Sequence, residues 1–223
     1  MQELALFQQK NGAAVLPSEG QLNAELLLNR LNIFNRLGMV YGLLSLSFLG
    51  LLFFSVFRPK ADVKRMSKIL LGLLLAGFLF HTLGLGLRWY VSERAPWSNG
   101  YESMIYIGWT TVLAGLVFFR KTKGGPAGAS VLGATIMMVA AISWLGPANT
   151  PFVPGVNSYW LTIHVSLEAG SYGFLVLGAI IGVINLILMV VATAQNRERV
   201  YNIIKELSIT SEMTVTGGLM MLS

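Results

Sequence analysis

The stretch from Leu161 to Thr193, LTIHVSLEAGSYGFLVLGAIIGVINLILMVVAT, decides the fold of this protein. With histidine counted as neutral, its only charged residue is Glu168. A helix of about 20 apolar residues crosses the roughly 30 Å hydrocarbon core of a bilayer. This run would extend for about 50 Å as a helix. It therefore predicts a transmembrane helix that extends well beyond one side of the membrane.

The rest of the sequence has the same apolar character. Of its 223 residues, 54% are hydrophobic and 12% are charged, and the mean hydropathy is +0.65. Soluble domains carry about 25% charged residues, so this composition excludes an ordinary soluble protein. We predict an all-α, polytopic transmembrane helix bundle with about six spans, at residues 37–57, 69–87, 104–119, 128–145, 161–193 and 207–223.

Basic residues concentrate in every second connector between these spans. The connectors FRPKADVKRMSK, RKTKGG and AQNRERVYNIIKELS hold eleven of the sixteen lysines and arginines. Loops rich in basic residues stay in the cytoplasm. The N-terminus and the two other connectors, RWYVSERAPWSNGYES and GPANTPFVPGVNSYW, are therefore predicted to lie outside. Trp144, Tyr159 and Trp160 flank the second of these, as an interfacial aromatic belt does.

Residues 1–36 are more polar and form a predicted extracytoplasmic lead-in to a membrane domain at 37–223. Leu22, Leu26, Leu27, Leu31 and Phe34 recur at helical spacing, which predicts an amphipathic surface helix. No basic stretch followed by an apolar stretch marks a signal peptide here. An outside N-terminus without a signal, and a final stretch SITSEMTVTGGLMMLS within a span, lead us to expect a portion of a longer chain.

The sequence has no cysteine, so disulfides and thiolate ligands are excluded, and two histidines are the candidate metal ligands. If Phe174 to Thr193 fills the hydrocarbon, His164 lies about 15 Å outside it. Glu168 is four residues further on and can orient the imidazole. The alternative is an interfacial histidine without a ligand role.

Two other ionisable residues have open interpretations. His81 lies in the outer half of the second span, where it is either functional or bonded to a backbone carbonyl or a neighbouring helix. Glu102, near the outer end of the third span, is either a functional carboxylate or a partner of Arg88 or Arg94. The glycine-rich runs LGLGL, GASVLGA and GFLVLGAIIG favour helix-packing faces.

Two blocks together resemble a known family. LRWYVSERAPWSNGYESMIYIGW and YWLTIHVSLEAGSYGFLVLGAIIGVINLIL closely resemble the CcsA family of system II cytochrome c biogenesis. RLNIFNRLG, which leads into the first span, looks like the junction of the fused CcsBA form. The likeness runs from about residue 29 to the end of the chain.

The resemblance implies a function and a site. The family carries haem to an external site and joins it there to the thiols of a Cys-x-x-Cys-His motif in apocytochrome c. His164 matches the first external axial ligand of the haem iron through its LTIHVS context. Arg88 and Arg94 are candidate partners of the haem propionates. The remaining candidate haem contacts are Glu168, Trp97 and Tyr101.

The resemblance also defines what is missing and what accompanies the chain. The family's tryptophan-rich haem loop and second external histidine would follow Ser223. The chain would thus be part of a holocytochrome c synthase, with no catalytic residue identified and no activity expected of this portion alone. The implied cargo is haem b, and the implied partners are apocytochrome c, a CcsB or ResB-type protein or fused domain, and membrane lipids, without nucleic acid. The implied location is a bacterial inner membrane, with the working face outside.

Two alternatives remain open at this point. One is a related haem-handling protein of system I, which also relies on external histidines. A transporter or structural membrane subunit without haem belongs to a different class.

Overall fold

A computed structural model describes residues 17–58, 62–118, 125–142 and 158–223. Within these ranges the secondary structure is entirely helical. The described residues form seven helices, which are α1 Glu19–Leu31, α2 Ile33–Phe57, α3 Lys64–Ser92, α4 Gly100–Phe118, α5 Gly125–Ile142, α6 Tyr159–Val191 and α7 Arg197–Leu222.

The prediction of an all-α polytopic membrane protein is confirmed. Four helical stretches of the described chain are long and apolar enough to cross a membrane: α1 with α2, α3, α5 and α6. Within the described residues, each of the six predicted spans overlaps a helix. Crossing by α4 and α7, which carry more polar residues, stays a prediction.

A left-handed residue separates α1 from α2. Ser18 and Gln21 form a capping box at the start of α1. Asn32 has φ 42° and ends that helix, and α2 begins at the next residue. Asparagine adopts this conformation more easily than most residues. Asn32 therefore interrupts the helical backbone geometry close to the junction of the predicted lead-in and the first span.

The lead-in is helical over Glu19–Leu31, and its amphipathic position at the membrane surface stays a prediction. Leu22, Leu26 and Leu27 are exposed, whereas Leu28 is buried. The reason is that α1 packs along one side only, against the end of α3, where Gln21 Nε2 donates to Glu93 Oε1 at 2.6 Å. The other side of α1 has no described helix to cover it.

Glycines allow the spanning helices to approach closely. A Cβ at Gly173 of α6 would lie 2.5 Å from Thr110 Oγ1 of α4, and one at Gly178 would lie 2.7 Å from a methyl group of Val215 in α7. The predicted packing role of these glycine runs is therefore confirmed at both positions. Gly86 and Gly182 face open space and have no such role within the described chain.

Two predicted loops are largely helical. α7 begins at Arg197, ten residues before the predicted span, because Val200 and Leu207 are buried on one face of an uninterrupted helix. The outer connector between the second and third spans shrinks to residues 93–99, since α3 continues to Ser92 and α4 begins at Gly100. Trp144 and the basic residues Lys60, Arg120, Lys121 and Lys123 lie outside the described residues.

Candidate functional site

The connector at residues 93–99 is defined by backbone signals at both ends. Glu93 has φ 54° and terminates α3 in the left-handed region. Asn99 Oδ1 accepts a hydrogen bond from the backbone N–H of Glu102 at 2.8 Å and so caps the start of α4. This cap directs the first turn of α4, and with it the Glu102 side chain, toward the end of α3.

Three charged residues form an ionic cluster inside this junction: Arg88, Arg94 and Glu102. Arg88 Nε lies 3.0 Å from Glu102 Oε1. Arg94 binds the same carboxylate through both terminal nitrogens, Nη1 to Oε2 at 2.6 Å and Nη2 to Oε1 at 3.0 Å. The backbone N–H of Ser98 also donates to Oε2 at 3.0 Å. The predicted pairing of Glu102 with an arginine is confirmed, and both arginines take part.

The ionic cluster is withdrawn from solvent. The Glu102 side chain is completely buried, and the side chains of Arg88 and Arg94 are 4% and 13% exposed. The Arg88 guanidinium also lies 5.2 Å from the centroid of the buried Tyr101 ring, a cation–π contact. Buried charges persist when they are paired and hydrogen-bonded. Two cations share one anion here, so the three residues together carry a net charge of +1.

Five half-buried or exposed rings form an aromatic ladder beside the cluster. It runs in the order Trp89, Trp97, Tyr106, Trp109 and Phe78, with successive ring centroids 5.5, 4.7, 6.0 and 5.3 Å apart. These separations are typical of favourable aromatic pairs. The ladder joins α3, the connector and α4 along one side of the molecule.

The connector reaches α6 through Trp97. Its indole Nε1 donates to the backbone carbonyl of Thr162 at 3.3 Å. Thr162 is two residues before His164, but two residues correspond to about 200° of rotation around a helix. The structure therefore brings the connector to the first turn of α6, and it leaves Trp97 and His164 on different faces of that helix.

His164 is exposed near the start of α6 and has no hydrogen-bond or ion-pair partner among the described residues. The predicted orienting contact from Glu168 is absent there, because Glu168 Oε1 accepts a hydrogen bond from the Tyr172 hydroxyl at 3.0 Å. Tyr172 lies four residues after Glu168 in the sequence, whereas His164 lies four residues before it, so the two side chains compete for the same carboxylate. The imidazole is left available to an external ligand.

The last turn of α7 does not reach His164. A Cβ at Gly170 would lie 2.8 Å from Met221 Cε, which places the last turn of α7 beside Gly170. His164 lies six residues earlier in α6, about 9 Å further along the helix. Its side chain is therefore not covered by the described part of α7.

His81 has a separate and fully buried environment. Its Nδ1 lies 3.3 Å from the Tyr41 hydroxyl of α2, and its ring also packs edge-on against Phe34. The predicted contact with a neighbouring helix is thus formed. Nε2 has no hydrogen-bond partner among the described residues. His81 and His164 lie in different regions and do not form a common site.

The aromatic ladder was not predicted from the sequence. Trp97 was predicted as a candidate haem contact, and Phe78, Tyr106 and Trp109 were not singled out. A signal was present, since Tyr106 and Trp109 are three residues apart on α4 and share a face of the helix. Their meeting with α3 depends on the crossing of the two helices, which spacing alone does not specify.

Comparison with known proteins identifies the family. A family model described as "Cytochrome C assembly protein" matches residues 97–223, more than half of the chain. The chain belongs to this cytochrome c assembly family. The matched region begins at Trp97 and includes His164, and the CcsA resemblance of the sequence motifs is confirmed.

The relatives are longer proteins. Protein NrfI of Wolinella succinogenes is 44% identical over 187 residues, which cover 82% of this chain and 20% of that protein. Cytochrome c biogenesis protein CcsA of Trieres chinensis is 30% identical over 158 residues, covering 67% of this chain and 49% of that protein. CcsA of Chlorella vulgaris is 36% identical over 111 residues, covering 48% and 35%. The chain thus spans between a fifth and a half of the length of these relatives.

Proposed function

We propose that this member of the family handles haem b during cytochrome c biogenesis and presents it outside the membrane for covalent attachment to apocytochrome c. His164 is the axial ligand of the haem iron in this proposal. One observation carries it: His164 is an exposed imidazole with no partner among the described residues, at the end of a helix longer than a membrane requires. Haem iron accepts neutral imidazole as an axial ligand.

The residues around His164 fit such a ligand. Tyr172 holds the Glu168 carboxylate at 3.0 Å, so the imidazole is not tied into an ion pair. The neighbouring Tyr159 and Trp160 are each 77% exposed, which leaves apolar surface next to the imidazole. A porphyrin is a flat apolar ring, and aromatic side chains bury large apolar areas against such rings.

The ionic cluster is assigned a positioning part in this proposal. Arg88 and Arg94 are engaged by Glu102, and Tyr101 is buried beneath Arg88. Together they hold the connector that carries Trp97 against the first turn of α6. Neutralisation of haem propionates by the two arginines stays a prediction, since both guanidinium groups would have to turn from Glu102 toward the haem.

The remaining chemistry belongs to other molecules. Thioether bonds form between the haem and the two thiols of a Cys-x-x-Cys-His motif, and this chain has no cysteine of its own to compete for them. A second axial ligand and a CcsB-type partner, separate or fused, complete the proposed assembly. The working face is the outer face of a bacterial inner membrane in this proposal.

Substitution of His164 tests the proposed function. We expect His164→Ala to lower the yield of covalent haem in a co-expressed apocytochrome c at least about tenfold, and added imidazole to restore part of it, because the small ligand replaces the missing side chain. Covalent haem is measured by haem staining of the denatured cytochrome and by the pyridine haemochrome spectrum.

Val190→Ala is the control, since Val190 is an exposed residue at the opposite end of α6. Its yield should equal that of the unmodified protein. An undiminished yield with His164→Ala, at equal protein levels, would remove His164 from the proposal. A loss that imidazole leaves unchanged, and that Val190→Ala reproduces, would indicate a structural effect on α6.

A further inference from the structure

One side of α6 is left uncovered by the described helices. Five of its side chains there are exposed, and a sixth, Glu168, is partly exposed. Successive members lie three, four or seven residues apart, which keeps them on one side of a helix. We call this set the open face, and it consists of Leu161, Glu168, Tyr172, Val176, Ala179 and Val183.

The contacts of α6 locate the membrane along this helix. At the outer end, the backbone carbonyl of Thr162 accepts a hydrogen bond from the connector at 93–99. Further along, a Cβ at Gly128 of α5 would lie 3.0 Å from Ile181, and the predicted cytoplasmic connector RKTKGG leads into α5. Both connectors carry charges, which hydrocarbon disfavours. The hydrocarbon therefore lies between Thr162 and about Ile181, a helix length of about 29 Å, close to the roughly 30 Å required.

Glu168 lies inside this interval. It is six residues from Thr162, about 9 Å toward the membrane centre. Carboxylates within membrane spans are rare and face a polar partner. Among the described residues, the only side-chain hydrogen bond to this carboxylate comes from Tyr172, which supplies no positive charge. The same interval puts His164 at the outer boundary, rather than about 15 Å beyond it as the sequence suggested.

The middle of the open face permits a close approach. Ala179 is exposed there, and an added Cβ at Gly182, three residues further on, would meet nothing within 4 Å. Small residues let two transmembrane helices bring their backbones close together. Gly173 and Gly178 already have this role toward α4 and α7 on the other sides of α6. The open face thus has the shape of a packing face without a described partner.

The charge of Glu168 distinguishes between possible occupants of the open face. Acyl chains of lipids offer no hydrogen-bond donor to a carboxylate. A symmetric dimer presents the same patch on both copies, so two Glu168 side chains would meet at equal depth, and like charges repel. A basic side chain offers both a hydrogen bond and the opposite charge. The complement of this face is therefore a helix with a basic residue.

We propose that the open face is the docking surface for one further transmembrane helix that carries a lysine or arginine at the depth of Glu168. The basic group binds the Glu168 carboxylate, and the backbone of the helix approaches α6 at Ala179 and Gly182. The proposal does not depend on haem ligation, because His164 is not part of the open face.

A designed peptide represents the proposed helix in a direct test. The probe is a transmembrane peptide of about 20 residues, all leucine except for one lysine about 9 Å from its outer end. The comparison peptide has leucine at every position. Association with the labelled protein in phosphatidylcholine vesicles is measured by fluorescence energy transfer. We expect the lysine peptide to bind about three- to tenfold more tightly, the range of polar contacts between membrane helices. Equal binding of the two peptides would overturn the proposal.

Two variants separate the charge from the close approach. Glu168→Gln removes the anion and should abolish the preference for the lysine peptide. Ala179→Leu obstructs the approach of the backbones and should weaken binding of both peptides about threefold or more. The matched controls are Glu198→Gln, at an exposed position of α7, and Ala76→Leu, at an exposed position of α3. Both controls should bind the peptides as the unmodified protein does.

The two variants act at different positions, so failure of one to fold leaves the other decisive. A preference for the lysine peptide that survives Glu168→Gln would overturn the proposed ion pair. Unchanged binding with Ala179→Leu would remove the helix from the open face. Energy transfer between two labelled copies of the chain, lost in Ala179→Leu, would identify a second copy as the occupant and overturn the proposal.

Discussion

At Glu102, two guanidinium groups and a backbone N–H converge on one carboxylate without solvent access. Removal of one partner from a buried ion pair costs about 3–5 kcal/mol, because the other charge remains buried without compensation. Here the loss would affect two arginines at once. The stability of the connector therefore depends on this single side chain.

Glu102→Gln should lower the free energy of unfolding by about 3–5 kcal/mol, since the amide preserves the shape of the side chain and removes its charge. Thermal unfolding of the purified protein in detergent measures the effect. Glu25→Gln, at an exposed position of α1, is the control and should change stability by no more than about 0.5 kcal/mol. Equal unfolding midpoints for the two variants would contradict the account of the ionic cluster.

The sequence indicated part of this residue-level detail. The proximity of Glu102 to Arg88 or Arg94 followed from their positions at the outer ends of two successive spans. That both arginines bind the same carboxylate depends on the left-handed turn at Glu93 and on the Asn99 cap. The hydrogen bond from Tyr172 to Glu168 could not be predicted either. His164 and Tyr172 lie four residues before and after Glu168, and a helix allows either of them to contact its carboxylate.

Helix α6 is the element against which α4, α5 and α7 pack. Its 33 residues contact α4, α5 and α7, and glycines set the closest approaches. At Gly173 an added Cβ would lie 2.5 Å from Thr110 Oγ1 and 3.0 Å from the backbone oxygen of Ile107. The backbone of α4 cannot yield as a flexible side chain does, so α4 and α6 would have to separate.

Gly173→Ala should therefore destabilise the protein by about 1–3 kcal/mol, the cost of overpacking a close contact. Gly182→Ala is a matched control on the same helix, since nothing lies within 4 Å of its added Cβ. It should be neutral or stabilising by up to about 1 kcal/mol, because alanine favours helix over glycine. Unfolding curves of the two variants give the comparison, and a Gly173→Ala variant as stable as Gly182→Ala would contradict the close approach.

At the scale of elements, hydropathy predicted the helices better than it predicted their ends. The 33-residue helix α6 was expected from its apolar run and was found at nearly the same residues. The start of α7 was not predicted, because the basic residues around Arg197 were assigned to a cytoplasmic loop. The structure extends the helix through them, with Val200 and Leu207 buried on its inner face and the charged side chains elsewhere.

For the whole molecule, orientation in the membrane is the next quantity to measure. The chain has no cysteine, so single cysteines can be introduced without background labelling. The distribution of basic residues predicts that Tyr159→Cys faces outward and Lys64→Cys faces the cytoplasm. Both positions are exposed.

A membrane-impermeant maleimide added to intact spheroplasts should label Tyr159→Cys and leave Lys64→Cys unlabelled. Permeabilisation should then expose Lys64→Cys to the reagent, which controls for its reactivity. The reverse pattern would invert the molecule and place His164 on the cytoplasmic side.

The central claim is that His164 ligates haem iron, and the absorption spectrum of a His164→Cys variant tests it most directly. The variant is purified together with its bound haem. Thiolate ligation alters the electronic structure of haem iron, so the account predicts a Soret band displaced from that of the unmodified protein. A Soret band of unchanged position and intensity would show that His164 does not bind the iron and would contradict the account.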